Sequence, residues 1–363
     1  MAAGEGEPVS PTTGRSQRGG HTGVSIEDVA AAAGVSTATV SRAVRGLPRV
    51  SPATREKILE VAGSLGYVAS SSASGLATGR TRTIGVLAPF VSRWFFSKAI
   101  EGADRELHSR KYNLSLFNLG GHGSNRERLF SSTMVYKQID ALLVLCMSLT
   151  EEELEHLHKL DIPLVVVGGH VEDCAYIGIN DYDAASTAVR HLLDLGHTDI
   201  ALLHGDDETD LNFDVPRVRI RAFQEVMTDA GLQVRPEWDQ WGDFTVLSGQ
   251  QAFNRLWSIP GRKPTAIFCS SDEMAMGVIF EAGRNGVRVP EDLSVIGIDD
   301  HDFSAALGLT TVGQRPDNQA ELATKMLLDE LDGNPGAVHS EVAPHQLILR
   351  ETTAPPGTTA KNR

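Results

Sequence analysis

The sequence predicts an α/β protein: an all-helical N-terminal head followed by a two-lobed domain built on parallel sheets. Three observations predict it. Residues 26–67 hold apolar side chains at helical spacing in three short blocks parted by turn residues. From Thr83 the chain alternates short, uninterrupted apolar runs with helical stretches, as parallel strands covered on both faces require. Those runs form two successive series, which implies two α/β lobes.

In the head, Ile26, Val29, Ala30 and Ala33 stand at i, i+3, i+4 and i+7 and line one face of a first helix. Gly34 can take the left-handed conformation that ends a helix in a sharp turn, and Ser36 offers an N-cap oxygen for the next. In that second helix, Thr37 to Val44, Val40 and Val44 can face inward while Thr37, Ala38, Ser41 and Arg42 stay open to a partner. Ser51 and Pro52 cap and start a third helix with the stripe Ile58, Val61, Ala62 and Leu65, and Gly66 ends it. This is a helix-turn-helix, whose second helix enters the DNA major groove.

In the larger domain the first series of strands is expected at 84–88, 114–118, 141–145 and 163–167, each buried on both faces. The second is expected at 200–204, 265–269 and 294–298, divided by helices near 183–195, 217–230, 247–258 and 273–285. Ligands of open α/β sheets sit at the carboxyl ends of strands, so two lobes imply a shared cleft there.

Composition narrows the function. No apolar run in the 363 residues approaches the roughly 20 needed to span a membrane. Residues 1–23 lack an apolar signal core and read as a disordered leader, and with Cys146, Cys174 and Cys269 showing no metal-ligand spacing a cytoplasmic protein with reduced thiols is expected. The net charge of -14 is unevenly spread: nine Lys or Arg face six acids through residue 82, while 24 face 41 beyond it. Attraction to phosphates is thus local to the head.

The stretches AGVSTATVSRAV and RVSPATREKILEVAGSLGY closely resemble the DNA-binding domain of the lactose-repressor (LacI/GalR) family of bacterial transcription regulators. GRTRTIGVLAP, HLLDLGHTDIALLHG, WGDFT, PTAIFCSSDEMAMG, NGVRVPEDLSVIGIDD and LTTV resemble that family's effector domain, so the likeness runs from about residue 24 to 353. It implies a periplasmic-binding-protein-like fold in which the chain crosses three times between lobes. It also implies a homodimer, with a tetramer left open, that meets its partner through helices near 95–110 and 273–285 and binds double-stranded operator DNA under control of a small molecule such as a sugar.

By that resemblance Ser36, Thr37, Ala38, Thr39, Ser41 and Arg42 serve DNA binding, with Thr37 and Ala38 as the discriminating pair. Leu76 takes the position of a leucine that wedges into the minor groove from a hinge helix. Family members usually carry proline, asparagine and arginine where this chain has Ala69, Ser70 and Ser74, and Gly75 weakens a helix, so the hinge also reads as a flexible linker. Effector contacts map to Phe95, Phe96, Arg219, Phe244, Ser271 and Asp299, where guanidinium and carboxylate orient a polyol or heterocycle and aromatic faces cover it. Phe95 and Phe96 are equally readable as core, Arg219 as a surface ion pair, and Asp299 as the cap of a turn. At Ser271 most sugar-binding relatives carry asparagine. Asp272 reads as the cap of the helix that follows.

The expected organisation is a leader at 1–23, the head at 24–67, a hinge at 68–82, an effector and dimerisation domain at 83–353 and a flexible tail at 354–363. Lobe 1 comprises about 83–180 and 311–339, and lobe 2 about 181–310 and 340–353. Other chemistry has no signature: the chain lacks GxGxxG, a P-loop lysine, GxSxG and HExxH, and His156 and His158 lie on different helical faces. A non-enzymatic regulator without metal or cofactor is expected. Repression is the first reading, with an activator or corepressor-dependent regulator of non-sugar effector as the alternative.

Overall fold

The computed structural model describes residues 24–67, 80–120, 123–131, 137–168, 174–205, 214–334 and 336–357. The expected leader, Leu76 with most of the hinge, and residues 358–363 lie outside the described residues. The chain divides into two compact units at Thr81, an N-terminal head and a larger domain.

Three helices make the head: α1 (Ile26–Ala33), α2 (Thr37–Val44) and α3 (Pro52–Leu65). Ser25 opens α1 with a reciprocal box, its hydroxyl accepting from the Asp28 N–H at 3.3 Å and its own N–H reaching the Asp28 carboxylate at 2.9 Å. Gly34 follows at φ 72°, the left-handed turn that costs a residue without Cβ little. Val29, Ala33, Val40, Ala43 and Ile58 close the core with Ala30 and Ala62. The expected inward Leu65 is instead 38% exposed. The helix ends at the next residue, and Tyr67, donating its N–H to the Ala62 carbonyl, packs on the core in its place.

Among the described residues the larger domain holds two six-stranded sheets. The first lobe runs β1 (Thr83–Ala88), α4 (Trp94–Ser109), β2 (Asn113–Asn118), α5 (Gly123–Ser131), β3 (Ala141–Leu145), α6 (Glu151–Lys159), β4 (Leu164–Val167) and β5 (Tyr176–Gly178). The second runs α7 (Asp181–Asp194), β6 (Ile200–Gly205), α8 (Val215–Asp229), β7 (Asp239–Gly242), α9 (Val246–Ser258), β8 (Ala266–Cys269), α10 (Asp272–Arg284), β9 (Ser294–Asp299) and β10 (Thr310–Gly313). Then come α11 (Pro316–Leu331), β11 (Glu341–Val342) and β12 (Gln346–Ile348).

Strand order is β11-β5-β4-β3-β1-β2 in one sheet and β12-β10-β9-β8-β6-β7 in the other. The two orders are equivalent, so the lobes share one topology, and every pairing is parallel except that of β10 with β12. Apolar clusters cover both faces of each sheet, as such strands require. The chain crosses between lobes three times: from β5 to α7, from β10 to α11, and from β11 to β12.

Three expectations are corrected. β2 is an edge strand with no fully buried residue and with Leu116 42% exposed, because only β1 pairs with it. The return to lobe 1 falls after β10 rather than at 311, since Thr310–Gly313 pairs with β9; lobe 2 resumes at β12 rather than at 340, since β11 pairs with β5. The tail begins later than 354. The Ala354 carbonyl accepts from His197 Nε2 at 2.8 Å and from the Ser294 hydroxyl at 3.0 Å, and the Ala354 N–H donates back to Ser294 at 3.0 Å. Burial holds the His197 imidazole below its ordinary pKa, which keeps it a neutral anchor. Ending the chain at Thr353 leaves these buried groups unmet and should cost about 1–3 kcal/mol, read as a lower denaturant midpoint; an unchanged midpoint would show that residues 354–357 are dispensable.

Candidate functional site

On the head, Thr37, Ala38 and Arg42 lie exposed on α2, opposite the buried Val40 and Ala43. Ser36 and Thr39 are engaged with each other: the Ser36 hydroxyl accepts the Thr39 N–H at 3.2 Å and meets its hydroxyl at 2.8 Å. Their first role is to start the helix. Ser41 is half-buried, and its carbonyl accepts from Arg45 Nε at 3.1 Å. Arg55 donates to the Leu47 carbonyl and fixes the loop after α2. Of the basic side chains here, Arg42 therefore combines exposure with placement on the outer face of the second helix.

In the larger domain, a cleft lies between the two sheets' carboxyl ends. All six nominated side chains, Phe95, Phe96, Arg219, Phe244, Ser271 and Asp299, line it. Pro89 and Phe90 follow β1 and Cys146 follows β3, which places the cleft at the switch point of lobe 1, where helices leave neighbouring strands in opposite directions.

Phe95 and Phe96 stand in the first turn of α4 with their rings edge to face, 5.5 Å apart. Phe96 also belongs to the lobe 1 core, so its core and cleft readings both hold. Phe244 sits at φ 49° with its ring against Gly205, where an added Cβ would fall 1.7 Å from a ring carbon. Only glycine at the end of β6 lets that ring lie there.

Arg219 is buried and not a surface residue. Its Nε and Nη2 donate to one Asp181 oxygen at 2.9 and 2.6 Å, and its Nη1 to the Ser270 carbonyl. Ser271, not Asp272, caps α10, accepting the Met274 N–H at 3.3 Å, because the helix starts one residue earlier than expected. The Asp272 carboxylate is wholly buried and instead accepts from the His301 N–H at 3.0 Å and from the Ser304 and Thr311 hydroxyls at 2.6 Å each. Asp299, at the strained φ of 145°, accepts the Asp272 N–H at 3.3 Å and the Gln314 side-chain amide. Burial and the neighbouring Asp272 charge push the Asp299 carboxyl well above its ordinary pKa, and burial pushes Asp272 up to about 6.

Sequence reasoning missed Arg93, Asp181, Asp243, Glu273 and Gln314, all of which line the cleft. Arg93 pairs with Asp243 at 2.6 Å across the lobes, and its guanidinium lies 3.7 Å from the Phe90 ring centroid. Lys98 reaches Asp302 at 3.2 Å, also across the lobes. No side-chain hydrogen bond caps α4; Glu273 of the other lobe stands near its start, its pKa raised by burial against the opposing pull of the Trp94 backbone and Arg93. Asp181, Asp243 and Gln314 each lie within three residues after a strand, a signal that the carboxyl-end rule would have used.

Two family models match: the lacI family of bacterial regulatory proteins over residues 25–70, and the periplasmic binding protein-like domain over residues 189–353. Catabolite control protein A of Priestia megaterium is 35% identical over 336 residues, 91% of this chain and 99% of its own length. The chain belongs to the lacI family. Another relative is the HTH-type transcriptional repressor CytR of Escherichia coli, 33% identical over 92% of this chain and 97% of its own. The lac repressor dimer bound to operator and the anti-inducer ONPF superposes with a TM-score of 0.78 at 25% identity, covering 92% of this chain and all of that one. The transcriptional regulator CelR in complex with cellobiose does so at 0.66 and 26%, covering 91% of this chain and 99% of that one. This lacI-family chain is thus a DNA-binding transcription regulator. Among the described residues no helix is long and apolar enough to cross a membrane.

The buried acid pair gives a pH test. A carboxyl whose folded pKa is raised stabilises the fold fully below its ordinary value, and that contribution is lost as pH rises through the folded value; for Asp272 the window runs from 3.8 to about 6. Asp272→Asn cannot ionise, so its stability relative to the parent should climb across this window. Parallel urea midpoints at about pH 4 and 6 would refute the assignment.

Proposed function

We propose that this regulator is a repressor that binds a pseudo-palindromic operator as a homodimer and is controlled by a small molecule, a sugar or sugar derivative, in the interlobe cleft. The observation that carries the reading is the meeting of six side chains, nominated from the sequence and drawn from both lobes, in one cavity. The lac repressor relative is a dimer on its operator, and the CelR relative holds cellobiose; these likenesses support a dimer, an operator and a sugar here. Phe280 on α10 and Leu247 on α9, 46% and 62% exposed, offer apolar surface near the helix expected to meet a second copy.

In this reading Thr37 and Ala38 discriminate bases, Ala38 by apolar contact alone, and Arg42 reaches a phosphate or base edge. Ser36, Thr39 and Ser41 hold the helix that presents them, and Leu76 wedges into the minor groove. The ligand favours one arrangement of the lobes over another, and a coupling of about 1–3 kcal/mol suffices to change the grip on DNA. The protein acts without catalysis, in the cytoplasm where its DNA lies.

The test is titration onto a pool of pseudo-palindromic DNA at fixed salt, with and without sugars, polyols and nucleobases. Selective binding released by one compound class is expected; binding tightened by it would make the ligand a corepressor, and binding without sequence preference would refute the reading. Arg42→Ala should weaken operator binding by about 1–3 kcal/mol, with melting temperature unchanged. Asp299→Asn should retain operator binding and lose the ligand response; a normal response would move the effector site elsewhere.

A further inference from the structure

The cleft's charges say which ligands it refuses. Among the described lining residues the cations are Arg93 and Arg219, against four acids: Asp181, Asp243, Glu273 and Asp299. Even with Asp299 protonated, acids outnumber bases. Both guanidiniums are already committed, Arg219 to Asp181 and the Ser270 carbonyl, Arg93 to Asp243 and the Phe90 face. Since Arg219 and Asp181 are 4% and 9% exposed, an incoming phosphate would have to displace a buried carboxylate from its partner.

Helix N-termini are the other ready cradle for an anion. At the start of α10 this cradle is filled, since Ser271 and Asp299 take the Met274 and Asp272 N–H groups. At the start of α4 the Glu273 carboxylate stands nearby, a repulsive neighbour for an anion. α8, whose Val215 also reaches the cleft, follows Asp214 directly and loses a donor at Pro216. Much of the remaining surface is aromatic, from Phe90, Phe95, Phe96 and Phe244, with Pro89, Ile179 and Val215 adding aliphatic surface.

We propose that the cleft takes an uncharged or cationic ring compound, with donors toward Asp299 and its flat or apolar face on the phenylalanines, and rejects phosphorylated forms of the same compound. This rests on the reading of the cleft as the effector site. Its consequence is a place in metabolism: the regulator senses a compound before a kinase acts on it, or after a phosphatase has.

Calorimetric titration of the full chain with matched pairs tests this: glucose and glucose-6-phosphate, ribose and ribose-5-phosphate, cytidine and its monophosphate, adenosine and its monophosphate. The unphosphorylated member of at least one pair should bind about tenfold tighter or more than its partner. The double substitution Asp243→Asn with Glu273→Gln, which removes two negative charges, should narrow that ratio. Should the double variant melt early, Asp243→Asn alone, at a position exposed at the rim, carries the comparison. Equal or tighter binding of a phosphorylated member, or a ratio unmoved by the substitutions, would overturn the inference alone. Binding of neither member in any pair, or binding that survives Phe244→Ala, would instead overturn the effector-cleft reading on which it stands.

Discussion

A carboxylate withdrawn from water must have its lone pairs met by donors, and the second lobe is arranged around two that are. Asp272 gathers the His301 N–H and the Ser304 and Thr311 hydroxyls, tying α10 to the loop after β9 and to β10. Asp299 takes the Asp272 N–H and the Gln314 amide, and Gln319 of α11 donates to the Gln314 carbonyl at 2.6 Å. The bonds thus run from the strand ends of lobe 2 to the point where the chain returns to lobe 1. A ligand that engages Asp299 acts directly on that crossover, so a modest change at one carboxylate can bias the arrangement of the lobes.

The same constraint explains what was legible in the sequence. Elements fixed by local rules were readable: Gly34 and Ser36 mark the turn, and the apolar runs of β1, β3, β4, β6, β8 and β9 mark the sheets. Elements defined only by partners were not. β10 carries two threonines, of which Thr311 donates to the buried Asp272 and Thr310 accepts from the Arg350 N–H, β5 is three residues long, and β11 is exposed and exists because β5 lies beside it. The site divides likewise. Residues in recognisable motifs were found, whereas Asp181 and Gln314 gain meaning only from Arg219 and Asp299, far away in sequence. Asp272 was misread because a serine beside an aspartate leaves two candidate caps, and the choice depends on hydroxyls of Ser304 and Thr311 that no local pattern reveals.

The bonds across the cleft set the scale on which a ligand must act. Residues 93–98 of lobe 1 are held by lobe 2 through Arg93 to Asp243 and Lys98 to Asp302. Asp243 and Asp302 are 61% and 57% exposed, and ion pairs so open to water are worth about 0–1 kcal/mol each. Glu273, half-buried beside them, has its pKa raised by burial. Together the two ion pairs amount to at most about 2 kcal/mol, the order of the coupling that links two sites in an allosteric protein. A clasp of that strength holds the lobes in a preferred arrangement without locking them. A buried ion pair such as Arg219 with Asp181 would be too costly to break in each cycle. It lies within lobe 2, where it shapes the cleft wall and need not move. The strong pair therefore lies within one lobe and the weak ones span the gap between lobes, so that, on the function proposed above, a small uncharged ligand would need only a few hydrogen bonds to decide the equilibrium.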